Sequence, residues 1–114
     1  MARHRITISI TGGRLDFDLE TDGAPAGKAK KIHAKNNDRV EWTCNDGNFA
    51  GVFKGNSPLN ENGFYADSGS DTQSLRVTAA HNAVDDEKNH YPYFVAVVKD
   101  DTVIMQDPEI IIDA

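Results

Sequence analysis

Residues 6–19 constrain the fold more than any other part of the chain. Ile6, Ile8 and Ile10 alternate with Thr7, Ser9 and Thr11, a period of two that marks a strand with one face buried. Gly12-Gly13 follows, a pair able to take the positive φ angles of a two-residue hairpin turn. Leu15, Phe17 and Leu19 then alternate with Asp16, Asp18 and Glu20. Pairing across the turn sets Ile10 opposite Leu15, Ile8 opposite Phe17 and Ile6 opposite Leu19, so all six apolar side chains share a face. Such a hairpin must bury that face against another layer, and the rest of the chain offers strands to supply it.

Residues 21–30 carry turn formers and no period, and read as a loop. Lys31 to Lys35 reads as a short strand with Ile32 and Ala34 inward, and Arg39 to Cys44 as one with Val40, Trp42 and Cys44 on one face. Asn45-Asp46-Gly47-Asn48 turns the chain into a strand over Phe49 to Lys54. Residues 55–73, rich in Gly, Asn, Ser and Asp, read as a long surface excursion with little regular structure. Ser74 to Thr78 is a strand, and Ala79 to Asn89 has room for one helical turn. Tyr91 to Lys99 is apolar on both faces, as expected of a central strand covered on both sides, with Pro92 at its start. Thr102 to Met105 and Glu109 to Ile112 close the chain. Seven to eight short strands with a turn about every ten residues predict one all-β domain over 1–114, a Greek-key β-sandwich.

Composition narrows the function. The longest apolar run, Phe94 to Val98, is too short to span a membrane. The first residues carry no hydrophobic signal core and the single cysteine, Cys44, has no intrachain partner, so the expected compartment is the cytoplasm. Residues 1–54 hold nine Lys/Arg against seven Asp/Glu (+2), and residues 55–114 three against eleven (−8). The net −6 argues against nucleic acid as a partner, and the acidic second half suits either a basic partner or plain solubility.

Two stretches resemble the cupredoxins, the plastocyanin and azurin group of small copper β-sandwiches. Asn37-Asp38-Arg39-Val40-Glu41-Trp42 and Asn45-Asp46-Gly47 are similar to that family's strand and following turn, and Gly47 to Phe53 keeps its spacing. Tyr91-Pro92-Tyr93-Phe94-Val95 resembles the aromatic strand that ends in the ligand cysteine, and Glu109 to Ile112 the closing strand. The likeness covers residues 36–54 and 90–112 and implies a cupredoxin-like sandwich. Ala50, with Phe49 as the nearest alternative, stands where the first ligand histidine would be, and Val95 where the cysteine would be. A blue-copper site needs two imidazoles and a thiolate in one trigonal set. The resemblance therefore implies a copper-free domain with no cofactor.

Other sites have thinner support. Cys44 reads as a small buried hydrophobe. His4, His33, His81 and His90 show no chelating spacing; if a non-type-1 metal or small ligand binds, His81, His90 and Asp85-Asp86-Glu87 are its expected contributors. Asp67-Ser68-Gly69-Ser70-Asp71 echoes a calcium loop but lacks the closing bidentate Glu. No serine has a defensible His and Asp, and no phosphate-cradling loop precedes a helix, so the chain is not expected to be an enzyme. Phe49, Phe53, Phe64 and Tyr65 lie in or beside the glycine-rich excursion. They form either an exposed patch for a protein partner or packing that fills the end of the sandwich. A homodimer is the further expectation, through Arg3 to Thr11 as an edge strand.

Overall fold

The computed structural model describes residues 1–66 and 72–114; the calcium-like segment Asp67 to Asp71 lies outside them. The described residues form eleven strands: β1 (Arg3–Thr11), β2 (Arg14–Thr21), β3 (Ala24–Lys28), β4 (Lys31–Ala34), β5 (Arg39–Cys44), β6 (Asn48–Phe53), β7 (Gly63–Ala66), β8 (Gln73–Arg76), β9 (His90–Lys99), β10 (Thr102–Gln106) and β11 (Glu109–Ile112). The helical turn expected within 79–89 is a short 3₁₀ turn, Asp86–Asn89, whose Glu87 amide donates to the Asp85 side chain. Among the described residues no helix is long and apolar enough to cross a membrane.

Two mixed sheets pack as a sandwich. The first runs β3-β2-β1-β5-β8; the second runs β4-β11-β9-β6-β7, with β10 pairing the far half of β9. In the first sheet β1 and β5 are parallel, and in the second β11 and β4 are. Paired on both sides, β1 is an interior strand and not the edge expected for Arg3 to Thr11, so it offers no free backbone to a second copy. The β1–β2 register is the expected one, with Ile6 on Leu19, Ile8 on Phe17 and Ile10 on Leu15. Gly12 and Gly13 take φ of 60° and 81°, the pair of positive angles a tight hairpin needs.

The strand count exceeds the expected seven to eight for a physical reason. β3 is exposed at all five positions, so its sequence carries no alternation to read. It is set by the Asp22-Gly23 turn, where both residues have positive φ, and by a bulge between Asp18 and Glu20. β7 is only four residues long and turns just Phe64 and Ala66 inward.

The core joins the sheets through aromatics. The Trp42 ring from β5 stacks on Phe64 from β7 at 4.0 Å between centroids and meets Tyr93 from β9 edge-on at 5.9 Å. Trp42 Nε1 donates to Tyr93 Oη at 3.2 Å, so the two buried polar atoms satisfy each other. Burial pushes the Tyr93 phenol far above its ordinary range. Cys44 is fully buried on the same face of β5, a packing residue as expected.

Candidate functional site

The four aromatics of the expected patch separate. Phe49, Phe53 and Phe64 are buried in the core, and only Tyr65, at 77% exposure, faces solvent. Period-two geometry is the reason: Phe49 and Phe53 on β6 share the inward face, while Phe64 and Tyr65 are adjacent on β7 and must point to opposite sides. As a patch of four, the expectation is corrected. The packing alternative describes three of them.

Tyr65 instead belongs to a set that the sequence reading placed under cover. β9 buries Tyr93, Val95 and Val97 but turns Phe94, Ala96 and Val98 to an outer face on which none of the described strands packs. Phe94 is 40% exposed and Val98 45%. The neighbouring strands extend this face in register. Tyr65 on β7 lies opposite Ala50 on β6, Ala50 opposite Ala96 on β9, and Ala96 opposite Met105 on β10. One step along, Val52 lies opposite Phe94; one step the other way, Val103 lies opposite Val98. Directly opposed residues share a face, so these side chains form one apolar field across four strands. Within it, Ala50, Val52, Phe94, Ala96 and Met105 surround a shallow hollow of about 190 Å³. At its rim Lys54 Nζ sits 4.4 Å from the centroid of the Phe94 ring and 3.2 Å from Asp107 Oδ2. The lysine holds Asp107 below the ordinary carboxylate range.

The outer face of the first sheet is the opposite in character. Arg3, Arg39 and Arg76 stand in register across β1, β5 and β8. One step along, Glu41 is buried beneath Arg3 and Arg5, with contacts of 2.6 and 3.3 Å. A solvated sheet face normally looks like this one. The apolar face is the anomaly.

Ala50 and Val95, the two positions expected to replace copper ligands, do not converge. Ala50 points outward and Val95 is fully buried on the inner side of the same sheet. Neither side chain carries a donor atom. Among the described residues, no group of three His, Cys, Asp or Glu side chains comes together to hold a metal. The histidines are distributed. His4 is buried against Asp38 at 2.9 Å, and His33 meets Asp113 at 2.9 Å on the surface. His90 lies between Glu109 at 2.8 Å and Asp86 at 3.4 Å, and His81 is exposed. The Glu109 carboxylate, helped by Asp86, raises the His90 pKa against the opposing effect of burial. His90 also lines a cleft of about 620 Å³ with Lys54, Asn56, Asn82, Lys88 and Tyr91. Lys54 and His90 arrive there already paired with carboxylates.

Val52, Phe94, Val98, Val103 and Met105 were not singled out from the sequence as a site, although the signal was present. β9 is apolar on both faces, and Val103 and Met105 alternate with the inward Ile104 on β10. A strand covered on both sides and a strand with an exposed apolar face have the same sequence. No family model matches the chain, and no curated protein shows significant similarity to it.

Proposed function

We propose that the chain is a copper-free, cupredoxin-like Greek-key module that binds a protein partner through the outer face of its second sheet. The observation that carries this reading is the contiguous apolar field of Tyr65, Val52, Phe94, Val98, Val103 and Met105 on a chain whose other sheet face is charged. The loop end over residues 47–65 contributes Tyr65 and Val52 to it rather than the buried Phe49, Phe53 and Phe64. The likeness to cupredoxins rests on the strands around Trp42 and Tyr93. Donor-free side chains at Ala50 and Val95 support the copper-free half. A single, buried cysteine suits the reducing cytoplasm. The role is binding rather than catalysis.

A photoreactive side chain placed at position 103 tests the reading in cells. A discrete adduct of higher mass is the expected result, and no adduct from this position or from position 65 would end it. The metal half is tested by thermal unfolding with added Cu²⁺, Zn²⁺ or Ca²⁺. No shift is expected, since an ion that binds only the native state must raise its stability by mass action.

One observation favours a second reading, a small-ligand site: the cleft of about 620 Å³ beside His90 and Tyr91, a size typical of ligand pockets. A ligand there must compete with Glu109 and Asp86 for His90 and with Asp107 for Lys54. Saturating phosphate or dicarboxylate that moves the His90 and Tyr91 resonances in an NMR titration would establish this site; unmoved resonances would remove it.

A further inference from the structure

Resting on the reading of the outer face as a protein-binding surface, we infer that its occupant is a second copy of this chain. The two copies pack face to face about a two-fold axis parallel to the strands and lying between β6 and β9. Size is the first argument. The exposed parts of Tyr65, Val52, Phe94, Val98, Val103 and Met105 amount to an apolar area on the order of 600 Å², the upper end of what monomers leave uncovered. Two such faces together remove about 1,200 Å², the lower edge of the range for stable, specific interfaces.

Self-complementarity is the second argument. A two-fold interface requires that if one residue meets another across it, the converse also holds. The central row reads Tyr65, Ala50, Ala96, Met105 across β7, β6, β9 and β10, with bulk at its ends and small residues at its middle. The proposed axis reverses this row. It sets Ala50 against the other copy's Ala96, letting the two sheets approach, and Val52 against the other copy's Phe94. Tyr65, the most exposed of the set, then falls beside the other copy's Met105 at the edge of the 190 Å³ hollow. A hollow of that size has room for an aromatic ring. The charged pair nearest these rows, Lys54 with Asp107 beside Phe94, is mutually neutralised, and the remaining charge is screened by salt.

Sedimentation velocity of the full chain over a wide concentration range tests the inference. The wild type is expected to dimerise reversibly, and Tyr65→Glu and Val103→Glu each to weaken association by about tenfold or more. Both positions are exposed, and circular dichroism is to check that each variant is folded; Met105→Gln replaces either one that is not. A dimer unchanged in these variants uses another surface, such as the β3 or β8 edge, and overturns the inference.

The axis is tested by cysteines. In one chain, positions 65 and 105 are three strand spacings apart, about 14 Å at the usual spacing, beyond the reach of a disulfide. Tyr65→Cys combined with Met105→Cys is therefore expected to give covalent dimers under mild oxidation. Each single variant is expected to give few. Single variants that cross-link as well as the double variant overturn the axis. A wild type that stays monomeric at every concentration overturns the second copy. The adduct at position 103 then separates the two levels: a discrete mass other than twice the chain keeps the broader reading, and no adduct ends both.

Discussion

Asp38 shows how much a single side chain holds in this fold. Its Oδ1 accepts from the Ala2 amide at 2.8 Å, and its Oδ2 from the Lys35 amide and His4 Nε2, each at 2.9 Å. A carboxylate only accepts, so His4 donates through Nε2, and its Nδ1 lies 3.2 Å from the Thr21 hydroxyl. Asp38→Ala leaves two amides and an imidazole without their acceptor and is expected to cost about 3 kcal/mol in urea unfolding. Burial by itself would raise the Asp38 pKa, but the Ala2 amide, His4 and the Lys35 amide outweigh it and leave it lowered. A lowered folded pKa contributes stability above the ordinary carboxylate value, about 3.9, and loses it as pH falls through the folded value. The wild-type advantage over Asp38→Ala is therefore expected to shrink in acid; an advantage independent of pH would contradict this. Gly51 is a second residue-scale constraint. A Cβ there would run into the Phe64 ring that stacks on Trp42, so Gly51→Ala is expected to cost about 1–3 kcal/mol. Neither role shows in the sequence, where Asp38 is a turn residue and Gly51 one glycine of nine.

Among the elements, the β1–β2 hairpin was the most legible and β3 the least. The hairpin has one buried face and a short turn, so apolar alternation and glycine chemistry specify the same register. At φ 81° a side chain at Gly13 is strained, and Gly13→Ala is expected to lower stability by about 1–2 kcal/mol in thermal unfolding. β3 buries nothing and is set by backbone pairing with β2, which side-chain pattern does not record. The 3₁₀ turn is tied to the second sheet by His90, which reaches Asp86 within the turn and Glu109 on β11. A raised folded pKa contributes stability that is complete below the ordinary imidazole value and is lost as pH rises through the folded one. The melting-temperature advantage of wild type over His90→Ala is expected to fall as pH rises above the ordinary imidazole value, about 6.5; an advantage that grew would reverse the sign.

Over the whole molecule, Trp42 is the joint between the layers. It belongs to the first sheet and touches Phe64 and Tyr93 of the second. Trp42→Phe would leave a void and strand the buried Tyr93 hydroxyl, an expected loss of about 2 kcal/mol; a neutral result in chemical denaturation would place the joint elsewhere. The same layering decides the candidate site. Once the inner faces close around Trp42, none of the described strands packs on the outer face of the second sheet.

The first hairpin's register, the inward set of Ile32, Ala34, Val40, Trp42 and Cys44 and the lack of donors at Ala50 and Val95 were all determined by the sequence, because each depends on local period or residue chemistry. Tertiary structure alone decided which side of β9 is covered. Phe94, Ala96 and Val98 are as apolar as the buried Val95 and Val97, and only the placement of the other sheet separates core from surface. It also split Phe64 from Tyr65, neighbours in the chain that ended on opposite sides of a sheet. Side-chain hydrophobicity states what a residue prefers, but whether a second layer meets it is a property of the assembled sandwich.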